Sequence, residues 1–516
     1  MQVPSRPVGP VARASSWIAL EHLWPLALLA GIACFVNACP IRPQDFWWHL
    51  KAGQVIVMSG RIPSVDTFSF TMGGNLYGNY ASYWLMEVAY YLLFSVGGPA
   101  LIVFVHSLLV TSAYGLLVWL CWRISGSWRI ATACTLFAVI LGFADWSVRP
   151  QVIAFPAGVT ILAVIYAYQW RPRRSLLAIA PVTLLLWANS HATFLIGLGL
   201  LGLWLLDELV AMVQVRARHG SDRPFALLWP SVVALVSSSL ACLANPRGID
   251  VFLYAKGLSG NPVIRSIVPE WAPPTFGDLK GTLFLVGLLV CAALLASSLR
   301  RPSRFQLLTF VAFGALALST RRGIVWFGIV MAPVLANHLG GTTAAARPSG
   351  PPRRGTAELP ALNWLFAAVF LAAVLASLPW FRHLLPGSQT RARLISDETP
   401  TAATEFMLRE RLPGRLFHDQ GAGSYLIWAA QPAYPVFVDA RLDLYPLEIW
   451  HDYGVISDAE GGWQAKLHHY GVNTLMLNTT TQAHLVSAVS TSSDWRLVYQ
   501  DETDKVFVRV ATERMR

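Results

Sequence analysis

Pro40-Ile-Arg-Pro-Gln-Asp45-Phe-Trp-Trp-His49 stands directly after the first run of the chain long enough to cross a membrane. From there to Glu87 the sequence places Asp45, His49, Asp66 and Glu87 between two apolar segments, in a protein where charge is scarce. Ionisable groups held at the edge of a bilayer are costly to keep, so residues 40–87 read as a catalytic loop. The preceding run, Trp17 to Cys39, follows Arg6 and Arg13 but is too long for the core of a signal peptide, and reads as an uncleaved span.

Composition agrees with a membrane setting. Of 516 residues only 13% are charged and 21 are Trp, and the mean hydropathy is +0.49; soluble domains are about 25% charged. The chain therefore reads as a polytopic α-helical membrane protein. Its net charge of +11 is spread over short loops between apolar runs, the distribution of the positive-inside rule, and no nucleic-acid partner is expected. All six cysteines lie in or beside apolar runs without zinc or redox spacing, which makes them small apolar fillers.

Eleven runs approach the length of a span: 17–39, 99–122, 128–144, 150–168, 175–189, 192–213, 225–243, 280–299, 305–319, 323–339 and 361–381. A shorter run, Tyr83 to Val96, ends at Gly97-Gly98-Pro99 and reads as re-entrant, interfacial or a short span, so the expectation is 11–13 helices. Arginines recur after every second span, at Arg123 and Arg129, at Arg171, Arg173 and Arg174, at Arg216, Arg218 and Arg223, at Arg300, Arg301 and Arg304, and at Arg353 and Arg354. These ends belong in the cytoplasm together with the N-terminus, which leaves residues 40–87 and everything after Phe381 outside it.

Three parts follow: a membrane domain over 1–385, a linker over 386–400, and an extracytoplasmic α/β domain over 401–516. In the last part 416–418, 425–428, 436–440, 474–477, 495–499 and 506–509 read as strands, and 401–412, 447–457, 463–470 and 481–492 as helices.

The unusual polar residues of the membrane part gather on the outer side: Asp45, His49, Asp66, Glu87, Asp145, Arg149, His191, Arg247, Glu270, Arg321 and Arg322. A transport path would distribute such groups through the helix middles, which are apolar here. Asp45 and His49, four residues apart, share a helix face, so 44–58 reads as an interfacial amphipathic helix with Trp47 and Trp48 at headgroup level. The plainer alternative makes Asp45 a cap and the tryptophans anchors. Asp66, after Pro63-Ser64-Val65, suits a turn equally well. Glu87 lies one turn inside an apolar run, where an unpaired carboxylate is costly, and is expected to face the same cavity. Carboxylates beside arginines at a lipid interface suit chemistry on an anionic lipid: a carboxylate takes a proton from an acceptor hydroxyl, and Arg149, Arg321 or Arg322 stabilises a departing phosphate. In the tail Asp439, Arg441, Asp443 and Tyr445 read first as a strand-end salt bridge and cap; acceptor recognition or closure over 40–80 is the alternative.

Asp45-Phe-Trp-Trp-His-Leu-Lys-Ala-Gly53, Gly60-Arg-Ile-Pro-Ser-Val-Asp66-Thr-Phe-Ser-Phe-Thr71 and Trp84-Leu-Met-Glu87 resemble the first outer loop of bacterial GT-C glycosyltransferases, the polytopic relatives of protein O-mannosyltransferases and lipid A aminoarabinose transferases. Arg149-Pro-Gln151, Trp187-Ala-Asn-Ser-His191, Asn245-Pro-Arg-Gly248, Glu270-Trp271, Gly423-Ser-Tyr-Leu-Ile-Trp428 and Val438-Asp-Ala-Arg-Leu-Asp-Leu-Tyr445 look like marks of one branch of that superfamily, so the resemblance spans nearly the whole chain. It implies a GT-C-like membrane domain in a bacterial cytoplasmic (inner) membrane. It also implies an inverting transfer from a polyprenyl-phosphate-linked sugar to a hydroxyl of a glycan, lipid or protein acceptor, with membrane lipids as neighbours.

The loop's acidic residue acts as base or positions the acceptor in that superfamily, a role that falls here on Asp45. Many members carry an adjacent acidic pair; here Phe46 follows, and the role stays between Asp45 and Asp66. His49, Glu87, Arg149, His191, Glu270, Arg321 and Arg322 are the expected substrate-binding residues. Metal dependence varies in the superfamily, so no metal ligand is assigned and a divalent ion stays open as a cofactor. Two other readings remain: a non-catalytic scaffold of surface polysaccharide assembly, and a lipid or glycan transporter.

Overall fold

The computed structural model describes residues 18–219, 225–260, 268–345, 360–382 and 393–510. Arg6, Arg13, Arg223, Arg353, Arg354 and residues 386–392 of the linker lie outside these. The membrane part is built from α1 (Leu20–Ala38), α2 (Phe46–Ser59), α3 (Trp84–Ser125), α4 (Trp128–Gly142), α5 (Ala154–Trp170), α6 (Ile179–Ala188), α7 (Phe194–His219), α8 (Phe225–Cys242), α9 (Asp250–Gly260), α10 (Leu279–Ser297), α11 (Arg304–Ser319), α12 (Ile324–Ala345) and α13 (Pro360–Ser377). Among the described residues eight helices are long and apolar enough to cross a membrane, and three shorter apolar helices lie at 174–188, 228–242 and 304–319. They coincide one for one with the eleven runs expected from the sequence.

α12 forms the centre of the bundle, buried along most of its length against α3, α4 and α11. α13 packs on α1 and otherwise exposes Leu365, Phe366, Val369 and Leu371, an apolar surface suited to lipid. The short run Tyr83 to Val96 is not a separate element. It forms the first arm of α3, which breaks at Gly98 (φ 58°, ψ −155°) before Pro99, a conformation glycine adopts without steric penalty and a proline that offers no N–H to the helix.

α2 is not interfacial. Phe46, Trp47, Trp48, His49 and Leu50 are all buried, because α3 covers one face and the tail covers another. The Trp47 ring meets Tyr425 of the tail edge-on at 5.1 Å, and its Nε1–H donates to the Arg42 carbonyl at 3.0 Å. Gly53 permits the close approach of α2 to α3: a Cβ there would lie 2.0 Å from the Glu87 carbonyl oxygen.

The tail holds α14 (Thr401–Glu410), β1 (Leu416–His418), α15 (Gln420–Ala429), α16 (Leu447–Ser457), α17 (Trp463–His469), β2 (Thr474–Asn478), α18 (Ala483–Ser490), β3 (Trp495–Gln500) and β4 (Asp504–Arg509). Its sheet runs β1-β2-β4-β3, with β1 parallel to β2 and the remaining pairs antiparallel. This is the α/β domain expected, with two corrections. Tyr425 to Trp428 is helical, inside α15, whose first turn is capped by Asp419 accepting from the Gly421 N–H at 2.8 Å. Val436 to Ala440 joins no strand of the sheet. It pairs with residues 68–70, through Val436 N–H to the Phe68 carbonyl at 2.9 Å and Phe70 N–H to the Val436 carbonyl at 3.0 Å. The tail is thus stitched by backbone hydrogen bonds onto the same loop that carries Asp45.

Candidate active site

A cavity of about 630 Å³ lies where the N-terminal ends of α3, α7 and α12 and the middle of α9 meet the start of α2 and the tail segment Ala440–Asp443. Asp45, His49, Arg149, His191, Glu270 and Arg322 all line it. They come from five separate stretches of sequence, and the fold alone brings them together.

One wall is cationic. Arg149 precedes Pro150 and takes the extended backbone that a following proline favours (φ −147°, ψ 157°). Its Nη1 donates to both carboxylate oxygens of Glu270 at 3.2 Å, and its Nη2 to Gln44 Oε1 at 2.6 Å. Its Nε stands 3.3 Å from Asp45 Oδ2, an ion pair without hydrogen-bond alignment that leaves this buried N–H unbonded. Arg322, in the turn Arg321–Gly323 that starts α12, donates to Glu270 Oε2 from Nε at 3.1 Å and from Nη2 at 2.9 Å, and its guanidinium lies 4.9 Å over the Trp271 ring. Glu270 therefore bridges two guanidiniums. Burial raises its pKa, but Arg149 and Arg322 outweigh that and bring it down to about 2. Asp45 goes the other way: burial pushes its carboxyl above the usual range, and Arg149 and Arg322 pull it only partly back.

Behind Asp45 the helix presents His49, whose Nδ1 lies 2.9 Å from Glu87 Oε1. Glu87 is fully buried, with Oε2 unbonded, and does not reach the cavity; it acts on the cavity through His49. Burial, with His191 and Arg441, lowers the His49 pKa well below the ordinary value, so the ring is neutral at physiological pH. His191 sits at the start of α7 with Nδ1 2.9 Å from Thr193 Oγ1, and burial lowers its pKa to about 3.

Besides Glu87, two residues expected in the site lie elsewhere. Asp66 does not line the cavity. Its carboxylate accepts from Phe68 N–H (3.1 Å), Ser69 N–H (3.0 Å), Ser69 Oγ–H (2.6 Å) and Arg441 Nη1–H (2.6 Å), which leaves it no free lone pair to take a proton, and Arg441 in particular outweighs burial to keep its pKa low. Arg321 points away from the cavity and pairs with Asp278 at 2.8 Å. Arg441 resolves the tail motif: it is buried, holds Asp439 through Nε (2.9 Å) and Nη2 (2.6 Å), and reaches Asp66 and the Tyr80 hydroxyl (2.7 Å) with Nη1. The tail's ion pair and its closure onto loop 40–80 are the same contact.

The cavity also has an aromatic surface that was not legible as a site, Trp48, Tyr77, Tyr83 and Tyr254, joined by Asp443 of the tail motif. Among the described residues no group of three or more His, Cys, Asp and Glu is arranged to hold a metal ion.

No protein-family model matches the chain. No curated protein sequence matches it either. Solved structures do. The arabinofuranosyltransferase AftD from Mycobacteria aligns over 96% of this chain and 42% of its own, at 13% identity and a TM-score of 0.54. This chain therefore spans about two-fifths of AftD's length. ArnT from Cupriavidus metallidurans, solved with undecaprenyl phosphate, aligns over 97% of this chain and 99% of its own, at 14% identity and a TM-score of 0.47. The chain thus shares the fold of AftD over nearly its whole length, in keeping with the GT-C resemblance read from its sequence.

Proposed function

We propose that the chain is a membrane glycosyltransferase that moves a sugar from a polyprenyl-phosphate donor to an acceptor hydroxyl, with inversion at the anomeric carbon. The observation that carries this reading is a single cavity wall holding one carboxylate of raised pKa, Asp45, beside two guanidiniums, Arg149 and Arg322. The fold it shares with AftD, itself an arabinofuranosyltransferase, supports glycosyl transfer.

In this reading the donor's prenyl tail lies in the bilayer and its phosphate enters between Arg149 and Arg322, whose bonds to Glu270 its oxygens take over. A guanidinium matches a phosphate bidentately, and charge-assisted hydrogen bonds of this kind are strong. Asp45 accepts the proton of the acceptor hydroxyl as that oxygen bonds to the anomeric carbon. The bond from that carbon to the phosphate oxygen breaks through an oxocarbenium-like state, and its electron pair leaves on polyprenyl phosphate. The two guanidiniums stabilise the charge that grows there. Paired with Glu87 through Nδ1, the neutral His49 presents Nε2 to a sugar hydroxyl, and His191 stands beside it. The spread of arginines over alternate loops supports a site at the outer face of a bacterial inner membrane, with the N-terminus in the cytoplasm and the tail outside.

Purified chain in lipid nanodiscs, given radiolabelled polyprenyl-phosphate sugars and envelope glycans, tests this: label moves to an acceptor, and the new linkage has the opposite anomeric configuration by NMR. No cleavage of any polyprenyl-phosphate donor, or retained configuration, overturns it.

A further inference from the structure

The cavity has a second pole that the donor chemistry leaves unused. Tyr83 and Tyr254 meet ring-edge to ring-face at 6.3 Å with their hydroxyls 2.9 Å apart, and Trp48 stands 6.2 Å from Tyr83. Asp443 comes from the tail, half-buried, and accepts from the Tyr77 hydroxyl at 3.3 Å and from the Asn79 amide. Asn79 in turn accepts from Arg247 at 2.8 Å, whose guanidinium lies 4.8 Å over the Tyr254 ring. The wall is thus a continuous chain of contacts from the tail to α9. The Trp48 Nε1–H, in the same wall, is buried without a partner.

This pole suits the donor's phosphate poorly, because Asp443 lines it with no cation bonded to it among the described residues. Burial raises its pKa, against the Tyr77 and Asn79 hydrogen bonds. Flat rings flanked by a carboxylate, phenol hydroxyls and an unbonded indole N–H suit a ligand with apolar C–H faces and many hydroxyls. We infer that this face is the acceptor subsite and that the acceptor is a carbohydrate: a sugar packs into the corner between the perpendicular Tyr254 and Tyr83 rings while Asp443 and Trp48 Nε1–H bond its hydroxyls. This deepens the glycosyltransferase reading and rests on it. It sets a glycan against a peptide, or a lipid without a sugar-like headgroup, which lack a ring face with hydroxyls on its edges. It also makes the tail part of the site, since without residues 440–443 the subsite lacks its carboxylate.

Binding separates this inference from the transfer reaction. Full-length protein in nanodiscs is titrated with a panel of bacterial oligosaccharides, followed by tryptophan fluorescence, with undecaprenyl phosphate as a separate probe. At least one oligosaccharide is expected to quench, and Tyr254→Leu and Asp443→Asn to weaken it about tenfold or more, with undecaprenyl phosphate binding unchanged. A deoxy analogue lacking the bonded hydroxyl is expected to lose a similar factor. Tyr254→Phe keeps the ring face, and is expected to retain most of the binding. Oligosaccharide binding with no donor cleavage would sink the transferase reading alone. No quenching by any oligosaccharide, unchanged affinity in both variants, or preference for a serine peptide or a lipid hydroxyl would overturn the acceptor assignment.

Discussion

Arg441→Met is the perturbation that tests the joint between tail and loop most severely. The Arg441 guanidinium and the carboxylates of Asp66 and Asp439 are wholly shielded from solvent, at 2.6 Å from each carboxylate. Arg441 also lies over the Phe68 and Tyr77 rings at 5.2 and 5.4 Å. Removing it leaves two like charges buried without a cation, a change that costs about 3–5 kcal/mol. For a tail of this size that lowers the unfolding midpoint by roughly 10–20 °C. Asp66→Asn is milder: Arg441 keeps its two bonds to Asp439 and its bond to Tyr80, and the loss is about 1–3 kcal/mol, the worth of a hydrogen bond to a charged group. Thermal unfolding followed by tryptophan fluorescence, with limited proteolysis of residues 60–76, measures both. Asp66→Asn is expected to retain most of its transfer rate per folded molecule below its midpoint. Full stability with abolished transfer in Asp66→Asn would refute this reasoning and return Asp66 to the chemistry.

Two further outcomes follow from the geometry. Burial raises the Asp45 pKa and Arg322 lowers it in part, so the acid limb of kcat/KM lies above the range of an exposed aspartate. Arg322→Gln moves that limb further towards alkaline pH, because a carboxylate that loses a nearby cation holds its proton more tightly; a limb that stays or shifts to lower pH contradicts this. Gly53→Ala drives a methyl into the Glu87 carbonyl and forces α2 off α3, costing about 1–3 kcal/mol or more and loosening the His49–Glu87 bond. Gly199→Ala, with nothing within 4 Å of the new methyl, serves as the control in the same melting assay.

The spans and the outer cluster were legible because the physics behind them is local: about 20 apolar residues cross a bilayer, and ionisable groups beside them stand out. What depends on distant partners was not. Tyr425 to Trp428 reads as a strand from its apolar run; with Tyr425 to Ile427 buried and Trp428 half-buried in α15, it shows no period to distinguish helix from strand, and only the Asp419 cap hints at the turn. Trp47 and Trp48 looked interfacial because nothing nearby in sequence says that a domain several hundred residues later covers them. Asp66 and Arg441, 375 residues apart, could not be paired from either motif alone. Arg321 and Arg322 are neighbours on one turn, yet one meets Asp278 and the other the cavity. Tyr254 carries no local signal beyond the nearby Asn245-Pro-Arg-Gly248 turn, whereas Asp443 stood out in the tail motif with acceptor recognition as the second reading.

The central claim, that Asp45 is the base of a transfer centred on Arg149 and Arg322, is tested most directly by Asp45→Asn. The assay is transfer of labelled sugar from its polyprenyl phosphate by purified protein in nanodiscs, with undecaprenyl phosphate binding measured alongside. The account predicts a rate lower by about 10²- to 10⁴-fold with binding retained; transfer at the wild-type rate would remove Asp45 from the mechanism.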